Sequence, residues 1–489
     1  MTEHEMINFT LIREGLAALD ASASHAASGE DRPKVSEIYA PEPHAGALDP
    51  NVTVVLGARG AGKSFWAGVL GDPSTREAAS EAYPRIGLNN LEVKFGFTGL
   101  LKDGSVSRAT IDAQVPDGQE RARGSLLWRC VVLRALHGTI NPGVKQKTIS
   151  EMMTEYSDPE VWENDCEEAD EQLTNKGKVV LVIFDALDSL ALDWERLRNL
   201  TDALLEVAWA TRGYKSIRVK LFMRPDQLRD IGLRFVELPK LIAGATNLTW
   251  TGVDLYGMLF TRLSGIQNPN LKAALEKVFA MDGIAPAPQG LARRRTWPLV
   301  YNRNAQARVF SRLAGPYMGR SNKQGRTYDW PLKHLGDGHK EVTPRSFFTL
   351  IIEAARHVPA PVDLALSAEG IRHGLREASK VRVDQLGLEF PWIKRVLAPL
   401  ARLQVPCSDG QIKERWKETE TIESIVRRVE NHEFLGPFDP RSELGREMML
   451  IQAMVRIGVL TIRNDGRFDM PDLFRVAARL LKKGGVAPT

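Results

Sequence analysis

Three cysteines in 489 residues, Cys130, Cys166 and Cys407, are too few and too far apart for a disulfide framework, and none has the C-x-x-C spacing of a zinc site. That scarcity suits a reducing compartment. No apolar run approaches the roughly 20 residues that a membrane span needs, and the opening Met1-Thr2-Glu3-His4-Glu5 is acidic where a secretory leader would be basic. A cytoplasmic chain with no membrane partner is expected. Net charge is scarce as well: 65 Lys and Arg stand against 61 Asp and Glu, an excess of +4, which excludes a protein that coats nucleic acid along its whole length. At about 100 to 200 residues per domain, the length implies three or four units.

What is present is organised around one stretch. Val52-Thr53-Val54-Val55-Leu56 reads as a buried strand, Gly57-Ala58-Arg59-Gly60-Ala61-Gly62-Lys63-Ser64 is G-x-x-x-x-G-K-S, and Phe65-Trp66-Ala67-Gly68-Val69-Leu70 opens a helix. Glycines let the main chain wrap a phosphate, and the N–H groups at the helix start point at its charge. Residues 57–65 are therefore expected to bind a nucleotide, with Lys63 on the β and γ phosphates and Ser64 on Mg²⁺.

A second strand, Lys178 to Phe184, is a continuous apolar run suited to a parallel sheet covered on both faces, and Asp185 follows at its ligand-binding carboxyl end. Asp185 is expected to meet Mg²⁺, and Asp188 to orient or deprotonate the attacking water. A third strand, Val219 to Met223, ends in Arg224-Pro225-Asp226. Arg224 there would gain charge-assisted bonds from a γ-phosphate, the alternative being a rim salt bridge with Asp226. Thr343-Pro344-Arg345 starts a helix with Thr as cap and Pro at the first position. Arg345, a cation at the positive end of that helix, would be steadied by a nearby phosphate.

Elsewhere the signals are broader. Residues 7–20 carry helical spacing, and 21–33 read as a flexible connector. His44 reads as a loop histidine. Residues 151–172 hold ten acids and no base, a solvated helix face or mobile insertion. From Arg293 to Arg326 nine bases and no acid are interleaved with Trp297, Tyr301, Phe310 and Tyr317, a composition that can grip nucleic acid by charge and stacking or form an inter-subunit surface. At the C-terminus a helix over 442–457, a hairpin around Asn464-Asp465-Gly466 and a last helix from Pro471 through Leu481 describe a winged helix with few bases before the wing.

Together these residues resemble the STAND, NACHT-like branch of AAA+-type P-loop ATPases, and bacterial ATPases of conflict and antiphage systems. Gly57 to Ser64 matches the Walker A loop, Asp185-Ala186-Leu187-Asp188 resembles Walker B, Phe222-Met223-Arg224-Pro225 looks like the sensor strand, and Leu248-Thr249-Trp250 precedes a helix as in those ATPases. The resemblance implies an α/β fold: an ASCE-type parallel sheet, then a helical domain and a winged helix. It also implies ATP and Mg²⁺ as cofactors, slow ATPase activity with Lys63, Asp188 and Arg224 catalytic, and a switch that assembles as a homo-oligomer or with an effector-bearing partner protein in bacterial antiphage defence or signalling. Ser189, where a further acid often stands, argues against fast turnover, and leaves open a scaffold that binds ATP without turnover. A DNA-associated loader or remodeller using 293–326 is the other alternative. The expected segments are an N-terminal helix and linker over 1–49, a nucleotide core over 50–265 with an insertion at about 86–175, a basic region over 266–342, a helical domain over 343–430 and the winged helix over 431–489.

Overall fold

The computed structural model describes residues 7–20, 32–100, 104–191, 194–225, 227–228, 236–431, 433–434, 436–438 and 442–487. Asp226 and most of the 21–33 connector lie outside them. The chain divides into two compact units, one of Ala23–Thr249 with Gly290–Arg295, the other of Met1–Ser22, Trp250–Gln289 and Thr296–Thr489.

The first unit is built on a five-stranded, all-parallel sheet. Its strands are β1 (Val54–Leu56), β2 (Leu91–Phe97), β3 (Val179–Phe184), β4 (Ile217–Met223) and β5 (Thr246–Asn247), in the spatial order β2-β3-β4-β1-β5. Val54, Leu56, Val180, Val182, Phe184, Val219, Leu221 and Met223 pack on one face against helices Glu120–Ile140, Pro159–Asn175 and Trp194–Ala210. Val55, Leu181, Ile183 and Phe222, the alternate positions, pack on the other against Trp66, Val69 and Leu70 of helix Lys63–Gly71. Strict alternation of faces explains why β1 and β3 read as unbroken apolar runs: both sides are covered.

The order places β4 between β1 and β3. Leu221 pairs with Val54 on one side and with Phe184 on the other. The carboxyl ends of β1, β4 and β3, which carry the glycine loop, Arg224 and Asp185, are thus adjacent.

Several expectations need correction here. Leu91–Phe97, expected within an insertion over 86–175, is the edge strand β2, paired with β3 from Leu91 opposite Val179. The inserted part therefore begins only after Phe97. Of the two readings of the acidic stretch, the solvated helix face is the one seen: helices Ile149–Glu155 and Pro159–Asn175 bury Met152, Met153, Trp162, Cys166 and Leu173 while most of the acids face water. The core expected to run to residue 265 ends at Thr249 in the unit division and takes in Gly290–Arg295.

In the second unit, helix Phe9–Ala17 packs on helix Pro344–Arg356, and Arg13 donates to the carbonyl oxygens of Ala365, Leu364 and Pro361. Helices Pro344–Arg356 and Ala368–Glu389 form the tightest pair, because Gly374 and Gly370 let the backbone at Leu350 and Ala354 approach. The winged helix begins earlier than residue 431. Cys407 bridges to Phe468 of the wing hairpin (Thr461–Ile462 with Phe468–Asp469), and Gln404–Val405 pairs with Leu481–Lys482. The last helix is a single turn, Asp472–Arg475, where the sequence predicts one through Leu481. Its Arg475 is fully buried and donates to Asp472, Leu480 O and Val486 O, contacts that pull the chain out of the helix. Among the described residues no helix is long and apolar enough to cross a membrane.

Candidate nucleotide site

The glycine loop begins where β1 ends. Gly57 N donates to Met223 O of β4 at 3.1 Å, so the loop is fastened to the sheet at its first residue. A Cβ at Gly57 would lie 3.2 Å from Ala61 Cβ and 3.3 Å from Leu248 Cβ. Gly60 and Gly62 take φ of 82° and 103°, which an L side chain rarely adopts, and this is why the loop needs glycine at both. Helix Lys63–Gly71 starts immediately after. Lys63 Nζ donates to Gly57 O at 2.8 Å and Ala58 O at 3.2 Å, so the ammonium is curled over the loop that a phosphate would fill. Ala58, Arg59, Gly60, Ser64 and Phe65 are half-buried, and Ala61 is buried under the loop.

Behind the loop sits a residue whose part the sequence did not reveal. His44 is fully buried: Trp66 Nε1 donates to its Nδ1 at 3.2 Å, and its Nε2 lies 2.8 Å from Thr249 O. An imidazole that accepts at Nδ1 must carry its proton on Nε2 and donate it to Thr249 O. His44 therefore bolts the nucleotide helix to the chain after β5, and is no surface loop histidine.

Asp185, 2% exposed, follows β3, and its backbone N donates to Phe97 O of β2 at 2.8 Å. Burial pushes its carboxyl above the usual carboxylate range, against the Ser64 hydroxyl, the Ala186 N–H and the Lys63 charge that favour the ionised form, while Asp188 adds to the upward push. Its Oδ1 is buried with no hydrogen-bond partner among the described residues. Leaving such an acceptor unsatisfied costs about 1–3 kcal/mol, and a divalent cation shared with Ser64 would remove that cost. The residues present thus fit Mg²⁺.

Ala186 takes a left-handed φ of 53°, turning the chain into the short helix Leu187–Ser189 and bringing Asp188 round to the strand end. Ser189 Oγ donates to Ala186 O and so braces this turn. Arg224, 5% exposed, places Nη1 3.7 Å from the exposed Asp188 carboxylate. Gln227, in the next turn of chain, accepts from Arg224 N through Oε1 at 2.9 Å, and its Nε2 is buried without a hydrogen bond among the described residues.

The structure therefore brings Gly57 to Phe65, Asp185, Asp188 and Arg224 to one edge of the sheet. Arg345 lies in the other unit, half-buried in the first turn of helix Pro344–Arg356, where Thr343 Oγ1 caps Ser346 N.

The basic stretch is divided between the two units. Arg293, Arg294 and Arg295 belong to the first unit, where Arg295 contacts Glu42 and Ala82 O and lies over the Tyr83 ring. Arg308 and Arg312 of the second unit pair with Asp282, and Arg303 with Asp329. Trp297 and Phe310 are buried, leaving only Tyr301 and Tyr317 of the interleaved aromatics exposed. At the wing, Asp465 pairs with both Arg463 and Arg467.

No protein-family model matches the sequence, and no curated protein matches it. Among solved structures the chain is similar to Cdc6p from Pyrobaculum aerophilum, at 11% identity over 93% of this chain and 94% of that one, with a TM-score of 0.31, a likeness too slight to carry function.

Proposed function

We propose that this chain is an ATP-binding, slowly ATP-hydrolysing molecular switch whose nucleotide state governs assembly with further copies or with a partner protein. The observation that carries the reading is the meeting of Ser64 and Asp185 across two strands, with an unsatisfied buried carboxylate oxygen beside the glycine loop. In this reading the loop N–H groups and Lys63 bind the phosphates, and Lys63 exchanges its bonds to Gly57 O and Ala58 O for phosphate oxygens. Ser64 and Asp185 hold Mg²⁺, which supplies neutralisation of phosphate charge. Asp188, exposed to water at the strand end, takes a proton from the attacking water, and Arg224 leaves Asp188 for the terminal phosphate. Binding energy that differs between two conformations is what shifts their populations, and Arg224 is the group whose partner changes. Arg345 is a second phosphate-reading residue in this scheme, supported by its position at a positive helix end. Antiphage defence is the proposed setting on resemblance, with loss of protection in a Lys63→Ala strain as its check.

The test is nucleotide binding by Lys63→Ala. Loss of ATP binding with an unchanged melting temperature supports the reading, and wild-type affinity in that variant overturns it. In the DNA-associated alternative the exposed Tyr301 and Tyr317 are the stacking residues, since Trp297 and Phe310 are core, and strong salt-dependent DNA binding would favour it.

A further inference from the structure

Resting on the reading of Arg224 as the group that meets the terminal phosphate, we infer that Gln227 is a positioning residue of the nucleotide site, which aims Arg224 and supplies a donor once the site is filled. Strand geometry decides which way the backbone of Arg224 faces. Leu221 N donates to Thr53 O, and Met223 O accepts from Gly57 N, so the N–H and C=O groups of the odd-numbered residues at the end of β4 face β1. Successive residues of a strand point their N–H and C=O groups to opposite sides. Arg224 N therefore faces β3, the side on which Asp185 and Asp188 follow. No β3 carbonyl takes it, because β3 has ended at Phe184 and pairs last with Leu221. Gln227 Oε1 takes it instead, at 2.9 Å.

The consequence is that the backbone of Arg224 is fixed by a side chain where the sheet can no longer fix it. Its guanidinium then emerges from a settled base toward Asp188. The other end of the amide points to a ligand-dependent role. Nε2 is a buried donor with no acceptor among the described residues, held within one amide width of a bond to Arg224 at the end of β4, the strand next to the one that Asp185 follows, and Asp185 Oδ1 is a buried acceptor with no donor. A buried N–H is kept without a partner where an acceptor arrives later, and phosphate oxygens or their bound water are acceptors.

The experiment measures ATP and ADP affinity of the full-length protein with Mg²⁺, by displacement of a fluorescent nucleotide, so that it reads binding whether or not turnover occurs. Gln227→Leu is expected to lower the preference for ATP over ADP tenfold or more while ADP affinity stays within twofold. Arg224→Ala is expected to do the same, and the double variant to lose clearly less than the sum of the two single losses, since part of what Gln227 does passes through Arg224. Gln227→Glu keeps an oxygen for Arg224 N but loses the donor at neutral pH. It is expected to fall between wild type and Gln227→Leu at pH 7.5 and to regain ATP preference as its carboxyl protonates on acidification. A Gln227→Leu protein with wild-type preference overturns the inference, as do additive losses in the double variant. A Gln227→Glu protein equal to wild type at pH 7.5 removes the donor role. Failure of wild type to bind ATP, by contrast, overturns the parent reading and is seen before any variant is made.

Discussion

Arg224 and Asp188 hold each other across the ends of neighbouring strands, the guanidinium Nη1 3.7 Å from the carboxylate Oδ2, with the arginine buried and the acid open to water. In the proposed mechanism a terminal phosphate competes with Asp188 for that guanidinium, and binding of a triphosphate would release the carboxylate for chemistry.

Asp188→Asn is accordingly expected to separate binding from turnover. ATP affinity should be retained or rise, because Arg224 no longer has an internal anion to leave. Phosphate release should fall by about 10²-fold or more, the usual worth of a positioned base. Equal phosphate release by wild type and variant would remove Asp188 from the chemistry.

Asp185→Asn is expected to stabilise the nucleotide-free protein. Burial raises the Asp185 carboxyl above its ordinary range, so the folded state favours the protonated form. Stability from this group is fully present below the ordinary carboxylate range and is lost as pH rises through the raised value. At pH 7 the amide should therefore raise the melting temperature by a few degrees and flatten its dependence on pH, while Mg²⁺-dependent ATP binding is lost. Melting curves from pH 4 to 8, with and without Mg²⁺-ATP, check both halves.

Lys220, in the middle of β4, is fully buried and donates to Asp49 O, Val52 O and Gly46 O. Burial pushes its ammonium down from 10.5 to about 7, partly offset by Asp49. Between those values the unfolded chain holds a proton that the folded chain has shed, so stability should rise as pH climbs from 7 toward 10. Urea titrations across that range should show the rise in wild type, and Lys220→Met should lack it.

His44→Phe keeps the ring but removes both hydrogen bonds, leaving Trp66 Nε1 and Thr249 O unpaired. A loss of about 1–3 kcal/mol is expected from denaturant unfolding. ATP affinity should fall less than in Lys63→Ala, because His44 supports the helix from behind and the loop N–H groups remain.

How far the sequence can be read depends on how local each cause is. Gly57 to Ser64 carries its own conformation in consecutive residues, and Asp185 and Arg224 stand at the ends of apolar runs that any doubly covered sheet requires. His44 and Gln227 cannot be read this way, since one is defined by Trp66 and Thr249, brought near by folding, and the other by a side chain that doubles back onto a strand end. Leu91–Phe97 reads as part of an insertion because its charged Glu92 and Lys94 suit the solvent side of an edge, where no second neighbour buries them. Trp297 and Phe310 read as available for stacking because the alternation of bases and aromatics does not say which side of a helix is inward. Cys407 gives no local hint that it pairs with Phe468, so the winged helix reads as starting later than it does.

The peptide joining Met223 to Arg224 is gripped at both ends, its carbonyl by Gly57 N and its amide hydrogen by the Gln227 side chain. Because that unit is planar and resists twisting, it cannot absorb a tilt at one end without passing it to the other. Any shift of the first loop glycine is thereby delivered to the base of Arg224 through a lever one amide long.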